Sequence, residues 1–235
     1  YDKWIRVGWA LHNQNRLLFC VWIEFSMQSE KFLFEDVPDY FDKWENSMKV
    51  GNNCPGEGSI RYWVKSCNPE KFQEINKTTL YHYLMKTLKD QTDWDIAMVL
   101  YKRFIDRFKC ASIKHKIWYE YKRGRWRKNE YGCNLRLLIS SCVSELYHDM
   151  AQGEMETVKT DNPNNNNDGV GVMGAQCSQI STKLKNTSFK NNIMTEATNL
   201  FYDEDFPSKL NKDPNLLCFN NAVIDFKQNI IRKGR

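Results

Sequence analysis

The 235-residue sequence has no long apolar run; its longest, LLFCVWI from Leu17 to Ile23, is seven residues. A helix needs about 20 such residues to cross a bilayer, so no membrane-spanning helix is expected. No CxxC pair occurs: the eight cysteines, at positions 20, 54, 67, 110, 133, 142, 177 and 218, come no closer than nine residues. Zinc sites normally pair ligands about two to four residues apart, so a zinc module is not expected. The cysteines lie mostly in apolar stretches and read as buried free thiols of a reducing compartment rather than as disulfides. Histidine is scarce, with four residues scattered at 12, 82, 115 and 148. There is no GxxxxGK[ST] phosphate loop; GNNCPGEGS, from position 51, has the glycines without the Lys-Ser/Thr pair and reads as a loop. Two-metal chemistry needs clustered acids, and the DxD pattern occurs only at Asp93-Trp-Asp95 and Asp203-Glu-Asp205. The first pair sits at a helix start, where acids favour the dipole; the second precedes a proline. Glu145-x-x-His148 occurs once, whereas a carboxylate-bridged metal bundle uses that spacing twice. No catalytic residue and no metal ligand is assigned.

Charge is more telling than its total of +5. From Lys102 to Arg136 twelve Lys/Arg face three Asp/Glu, a net of +9, while the rest of the chain carries −4. A local basic stretch on a slightly acidic protein points to a polyanionic partner; the alternative is a solvated face with dispersed charge. Asparagine is plentiful, 23 residues, with the tract NPNNNND at 162–168. Such tracts seldom pack a core.

The periodicities predict a mainly α chain with a small antiparallel β part (α+β). Residues 1–75 read as a small four-helix domain with an aromatic core, with helices at 2–14, 16–28, 38–48 and from Ser59 to before Asn68-Pro69. Residues 76–92 read as a connecting helix, and 93–235 as a helical domain with β-hairpins. In that domain Asp93 is the expected N-cap of a helix to about Phe108. A three-stranded meander should follow, with strands from Cys110, over Ile117–Tyr121 and over Arg125–Lys128, and turns at His115-Lys116 and Lys122-Arg123-Gly124. Asn134–Met150 reads as helix, about 152–176 as a flexible loop, Ser178–Lys185 and Asn191–Phe201 as helices. The last strands are expected at 216–219, 223–226 and 229–232.

The meander is the candidate site. Lys114, Lys116, Lys122, Arg123, Arg125, Arg127 and Lys128 interleave with Trp118 and Trp126. Side chains alternate faces along a strand, so one face can pack on helices while the other presents cations and a ring. Cations neutralise phosphates, and exposed rings stack on bases. The bland reading puts both tryptophans in the core and leaves the charges as protection of a sheet edge.

Taken in order, these segments resemble the middle of the poxvirus-type primase–helicases of nucleocytoplasmic large DNA viruses. YDKWIRVGWAL, WIEFS, FDKWENS and GSIRYWVK are similar to the small helical domain that follows the primase core there. The stretch from DIAMVLYKRFIDRF through NEYGCNLRLLIS, and SFKNNIMTEATNLFYDEDF through NAVIDF, resemble the domain preceding the superfamily 3 helicase. The likeness covers nearly the whole chain outside 152–176 and rests on many positions rather than one catalytic motif. Ala222 departs from it, standing where Gly is expected in the asparagine turn. The chain, which opens on Tyr1, is accordingly read as part of a longer polypeptide. The resemblance implies a non-catalytic segment that binds single-stranded or forked DNA and couples a flanking primase to a homo-hexameric superfamily 3 helicase. ATP and Mg²⁺ would belong to the parent helicase, with no cofactor in this segment and no membrane partner. The implied location is a viral replication factory, in the cytoplasm rather than the nucleus. A protein-interaction module that forms the helicase collar without binding DNA stays open as the alternative.

Overall fold

Indole rings at helical spacing build the first of two compact units, Tyr1–Asn76 and Lys77–Arg235. The computed structural model describes residues 2–48, 54–160, 168–219 and 222–232. In the first unit α1 (Asp2–His12) is followed by a 3₁₀ turn, Arg16–Leu18, capped by the Asn15 side chain, which accepts from the Leu17 N–H. Then come α2 (Phe19–Ser26), a second 3₁₀ turn (Phe34–Asp36), and α3 (Val37–Asp42) with Pro38 in its first turn. A π turn, Lys43–Ser47, extends α3, and α4 covers Glu57–Cys67. Trp22 and Trp44 are completely buried. Trp22 stacks on Trp4 at 4.6 Å and on Trp44 at 5.6 Å between ring centroids. A buried indole N–H usually finds an acceptor. Trp4 donates to Ser26 Oγ at 2.7 Å, and Trp44 to the Arg16 carbonyl at 3.2 Å.

α5 (Pro69–Asp90) starts earlier than the expected connecting helix. Pro69 does stop α4, as expected, but its fixed φ also suits a first helical position. Asn68 caps the new helix by accepting from the Lys71 N–H at 2.9 Å.

The second unit continues with α6 (Asp93–Phe104), whose cap is Thr92 rather than Asp93: the Thr92 hydroxyl accepts from the Asp95 N–H. A meander follows, β1 (Phe108–Ser112), β2 (Ile117–Lys122) and β3 (Arg125–Glu130), in the order β1-β2-β3 and antiparallel. Beyond it lie α7 (Cys133–Leu138), a π turn (Ile139–Val143), α8 (Ser144–Thr160), α9 (Asp168–Lys183), α10 (Thr187–Leu200) and α11 (Phe206–Lys209). A second antiparallel sheet, β4 (Leu216–Cys218), β5 (Val223–Asp225) and β6 (Ile230–Arg232), ends the description. The protein is thus mainly α with a small antiparallel β part. Ile96, Leu100, Phe108, Trp118, Leu135, Ile139, Ile180 and Phe201 meet in one core. Within it the Tyr147 hydroxyl shares a 2.6 Å hydrogen bond with Thr87 Oγ1, and burial pushes the Tyr147 phenol well above its usual pKa.

Two expectations need correction. Helix occupies 152–160 and 168–176, where a loop from 152 to 176 was expected; 161–167 lie outside the described residues. Buried contacts from Cys177, Ile180 and Leu184, and the 2.9 Å pairing of Ser144 with Ser181, hold α8 and α9 together despite the asparagine-rich composition between them. The cysteines are all free thiols, but only Cys110 and Cys177 are buried, while Cys20, Cys67, Cys133 and Cys218 are exposed. The asparagine turn at 220–221 also lies outside the described residues; beside it the Phe219 N–H donates to the Ala222 carbonyl at 2.8 Å.

Two predictions follow for the first unit. A Cβ at Gly8 would stand 2.7 Å from Trp22 Cε2 and 2.6 Å from Met48 Cε. Met48 can swing aside and Trp22 cannot, so Gly8→Ala should lower the unit's stability by about 1–3 kcal/mol, read from a urea midpoint. His12 is 4% exposed, edge-on to Trp44, and neither ring nitrogen has a partner among the described residues. Burial, assisted by Arg16 and opposed by Glu45, lowers its pKa below the ordinary 6.5. The unfolded chain then binds the proton more tightly, so this contribution to stability is complete above about pH 6.5 and shrinks as pH falls below it. Urea midpoints across that range should show the decline in the native sequence, and His12→Phe should flatten it.

Candidate nucleic-acid interface

The meander is anchored through its middle, and both of its turns carry exposed residues. Phe108, Cys110, Trp118, Glu120 and Asn129 alternate inward and are buried. Backbone bonds from Cys110 N–H to the Phe201 carbonyl and from Asp203 N–H to the Cys110 carbonyl, both 2.9 Å, tie β1 to the end of α10. Glu120 is a buried carboxylate, which is tolerable only when paired and hydrogen-bonded. Arg107 donates to its Oε1 from Nε at 3.0 Å and from Nη2 at 2.6 Å, while Asn134 donates to Oε2 at 2.5 Å. The middle strand is thereby pinned both to the segment after α6 and to the start of α7. Gly132 begins α7 at φ 63°, and a Cβ there would come within 3.2 Å of the Trp118 ring.

The more cationic of the two turns is β2–β3. Arg123 and Gly124 occupy the left-handed region at φ 53° and 78°, the geometry of a two-residue type I′ hairpin turn. Pairing sets Lys122 against Arg125 and Glu120 against Arg127. Lys122, Arg125 and Arg127 therefore project from the face that carries Trp118, beyond its buried part, with Arg123 at the tip. All four are exposed. Among the described residues no carboxylate forms an ion pair with Lys122, Arg123 or Arg127.

The other candidates separate from this group. Lys114 and Lys116 are exposed in the β1–β2 turn, at the far end of β2, about 17 Å away at roughly 3.3 Å per residue. Lys128 points from the opposite face, beside Tyr119, and pairs with Glu130 at 3.3 Å. Trp118 must be corrected: it is 1% exposed and packs on Phe201 at 5.7 Å, so it is a core side chain with no face for a base. Trp126 is half-buried, edge-on to Phe206 at 4.7 Å and tilted on Tyr121 at 5.3 Å. Phe206, Arg107 and Asn134 escaped the sequence reading. Only the inward register of Glu120 hinted that a cation must meet it. Among the described residues no cluster of three His, Cys, Asp or Glu could hold a metal ion, and no helix is long and apolar enough to cross a membrane.

Residues 97–235, which hold the whole meander, match the family described as D5 N terminal like. The chain belongs to the D5 N terminal like family. Residues 1–64 match a second family, described as Primase C terminal 2. A protein of Acanthamoeba polyphaga mimivirus named as a helicase is 30% identical over 240 residues, spanning all of this chain and 24% of that protein. Helicase-named proteins of Frog virus 3 (isolate Goorha) and Invertebrate iridescent virus 3 are 24% and 22% identical, again over all of this chain and 26% and 28% of theirs. The chain thus spans about a quarter of the length of these relatives. The D5-type match, the primase-type match beside it and the viral relatives bear out the resemblance to the primase–helicases of large DNA viruses.

The burial of Trp118 separates packing from stacking. Trp118→Ala should cost about 3–5 kcal/mol of stability in the second unit. Thermal unfolding would show the loss; a variant of native stability with weakened DNA binding would return the ring to the interface.

Proposed function

We propose that this chain is a non-catalytic middle segment of a viral DNA-replication primase–helicase, and that the β2–β3 end of its meander binds the DNA backbone. The observation that carries this reading is the exposed group Lys122, Arg123, Arg125 and Arg127, gathered at the β2–β3 end of a meander whose inward residues are buried. Four cations on a short, type I′-locked hairpin present fixed positive charge to phosphates, and they read no sequence. Trp118 is buried, and half-buried Trp126 lies on the opposite face against Phe206 and Tyr121, so the contact is electrostatic rather than a stacking platform.

In this reading the segment lies between a primase and a hexameric superfamily 3 helicase and guides a single strand or fork toward the helicase. ATP and Mg²⁺ act in the helicase part, inside a viral replication factory in the host cytoplasm. Exposed Leu217, Phe219, Ile230 and Ile231 around the terminal sheet favour a second reading for that region. There the segment meets protein, as a collar between subunits, and DNA binding is left to neighbouring domains.

The test is fluorescence anisotropy of labelled single-stranded and forked DNA across a salt series. The native chain should bind saturably, with affinity falling steeply as salt rises. Changing Arg123, Arg125 and Arg127 together to Ala should weaken binding to every sequence and make the log–log salt slope shallower by about 2. A folded triple variant of unchanged affinity would remove the hairpin from DNA binding, and a native chain that binds no DNA at low salt would leave the collar reading.

A further inference from the structure

A cleft of about 660 Å³ opens in the first unit between α1, the end of α2 and α3. That volume lies in the range of small-molecule sites, roughly 300–1,000 Å³. Its lining combines two chemistries. Trp4, Phe32 and Tyr40 give it aromatic walls, and Lys3, Lys31 and Lys43 supply three ammonium groups. No aspartate or glutamate lines it.

The cations are not used up by the fold. Among the described residues none of these lysines forms an ion pair, and the Lys43 ammonium lies 5.7 Å from the centre of the Tyr40 ring. The walls are preorganised: Trp4 is fixed by its stack on Trp22 and its bond to Ser26, and Tyr40 is tilted on Trp4 at 5.2 Å. Burial, and then Asp36 and Asp39, raise the pKa of the Tyr40 phenol, but neither aspartate reaches the lining. Gln28 and Ser29 add an amide and a hydroxyl, able to meet the polar edge of a planar ring.

We infer that this cleft binds a nucleoside phosphate, with its base against the aromatic walls and its phosphates on Lys3, Lys31 and Lys43. A purely acidic ligand would leave the rings without purpose, and an apolar one would leave three ammonium groups facing it. A flat, hydrogen-bonding ring joined to a polyanion satisfies both sets of residues. Free nucleoside triphosphate and the 5′-phosphorylated end of a single strand share this chemistry. The cleft belongs to the first unit and the hairpin to the second, and occupancy of the cleft does not depend on the hairpin reading.

The test is isothermal titration calorimetry on the whole chain carrying the three hairpin Arg→Ala changes, so that binding at the hairpin does not enter. ATP is one probe and a 5′-phosphorylated tetrathymidylate the other. Saturable binding of either supports the site, and the probe that binds identifies the source: free nucleotide or strand end. Lys3→Glu with Lys31→Glu, two exposed positions, should weaken that binding at least tenfold with an unchanged unfolding transition. Lys43→Ala, a milder change, should weaken it about threefold or more. Binding of neither probe at millimolar concentration, or binding unaffected by these variants, would overturn the assignment.

Discussion

A single buried carboxylate organises the half of the protein that matters most for its surface. Glu120 sits at an inward position of the middle strand, where water cannot solvate it. Arg107 and Asn134 replace that solvation, and each belongs to a different flanking segment. Losing one partner of such a buried pair typically costs about 3–5 kcal/mol, more than a hairpin of six-residue strands can spare. The ion pair contributes position more than net stability, because desolvation consumes much of its attraction. With Glu120 satisfied, Trp118 is drawn into the core beside it, and the alternation of β2 and β3 is set. The cations beyond the buried part of that face are then placed by register rather than by chance.

The first unit solves its packing differently, with rings in place of charge. Trp4, Trp22 and Trp44 form a stacked run, and each indole N–H is directed at a nearby oxygen. α1 can approach that run closely because position 8 has no side chain. The lysine-lined cleft borders the outer end of the same run, so its aromatic wall is as rigid as the core behind it. The two units thus offer positive charge in two forms: an exposed tip, and a recess backed by rings.

Much of this was readable in the residues. Trp4, Val7 and Leu11 stand at helical spacing, and the strand–turn–strand pattern around Gly124 leads directly to the β2–β3 pairing. Strand order and the three short terminal strands also followed from turn residues and alternation. Three features did not. Composition around the asparagine tract suggests a loop, yet Met173, Gly174 and Cys177 turn inward on α9, and tertiary contacts outweigh local propensity. Pro69 reads from sequence as a stop, and the same fixed φ begins the next helix. Among the site residues, seven cations looked like one group. The register divides them between two turns and two faces, because pairing partners are a property of the folded sheet and not of neighbouring letters.

The residue at the hairpin tip exposes a compromise. Arg123 holds a left-handed backbone conformation that costs a non-glycine residue roughly 1–2 kcal/mol, and asparagine would tolerate it better. Replacing it with asparagine would relax the turn and remove the outermost charge in one step. Local conformational ease and reach toward an anion therefore compete for the same position. A screen that ranks variants of this chain by melting temperature alone would favour the substitution that blunts the tip.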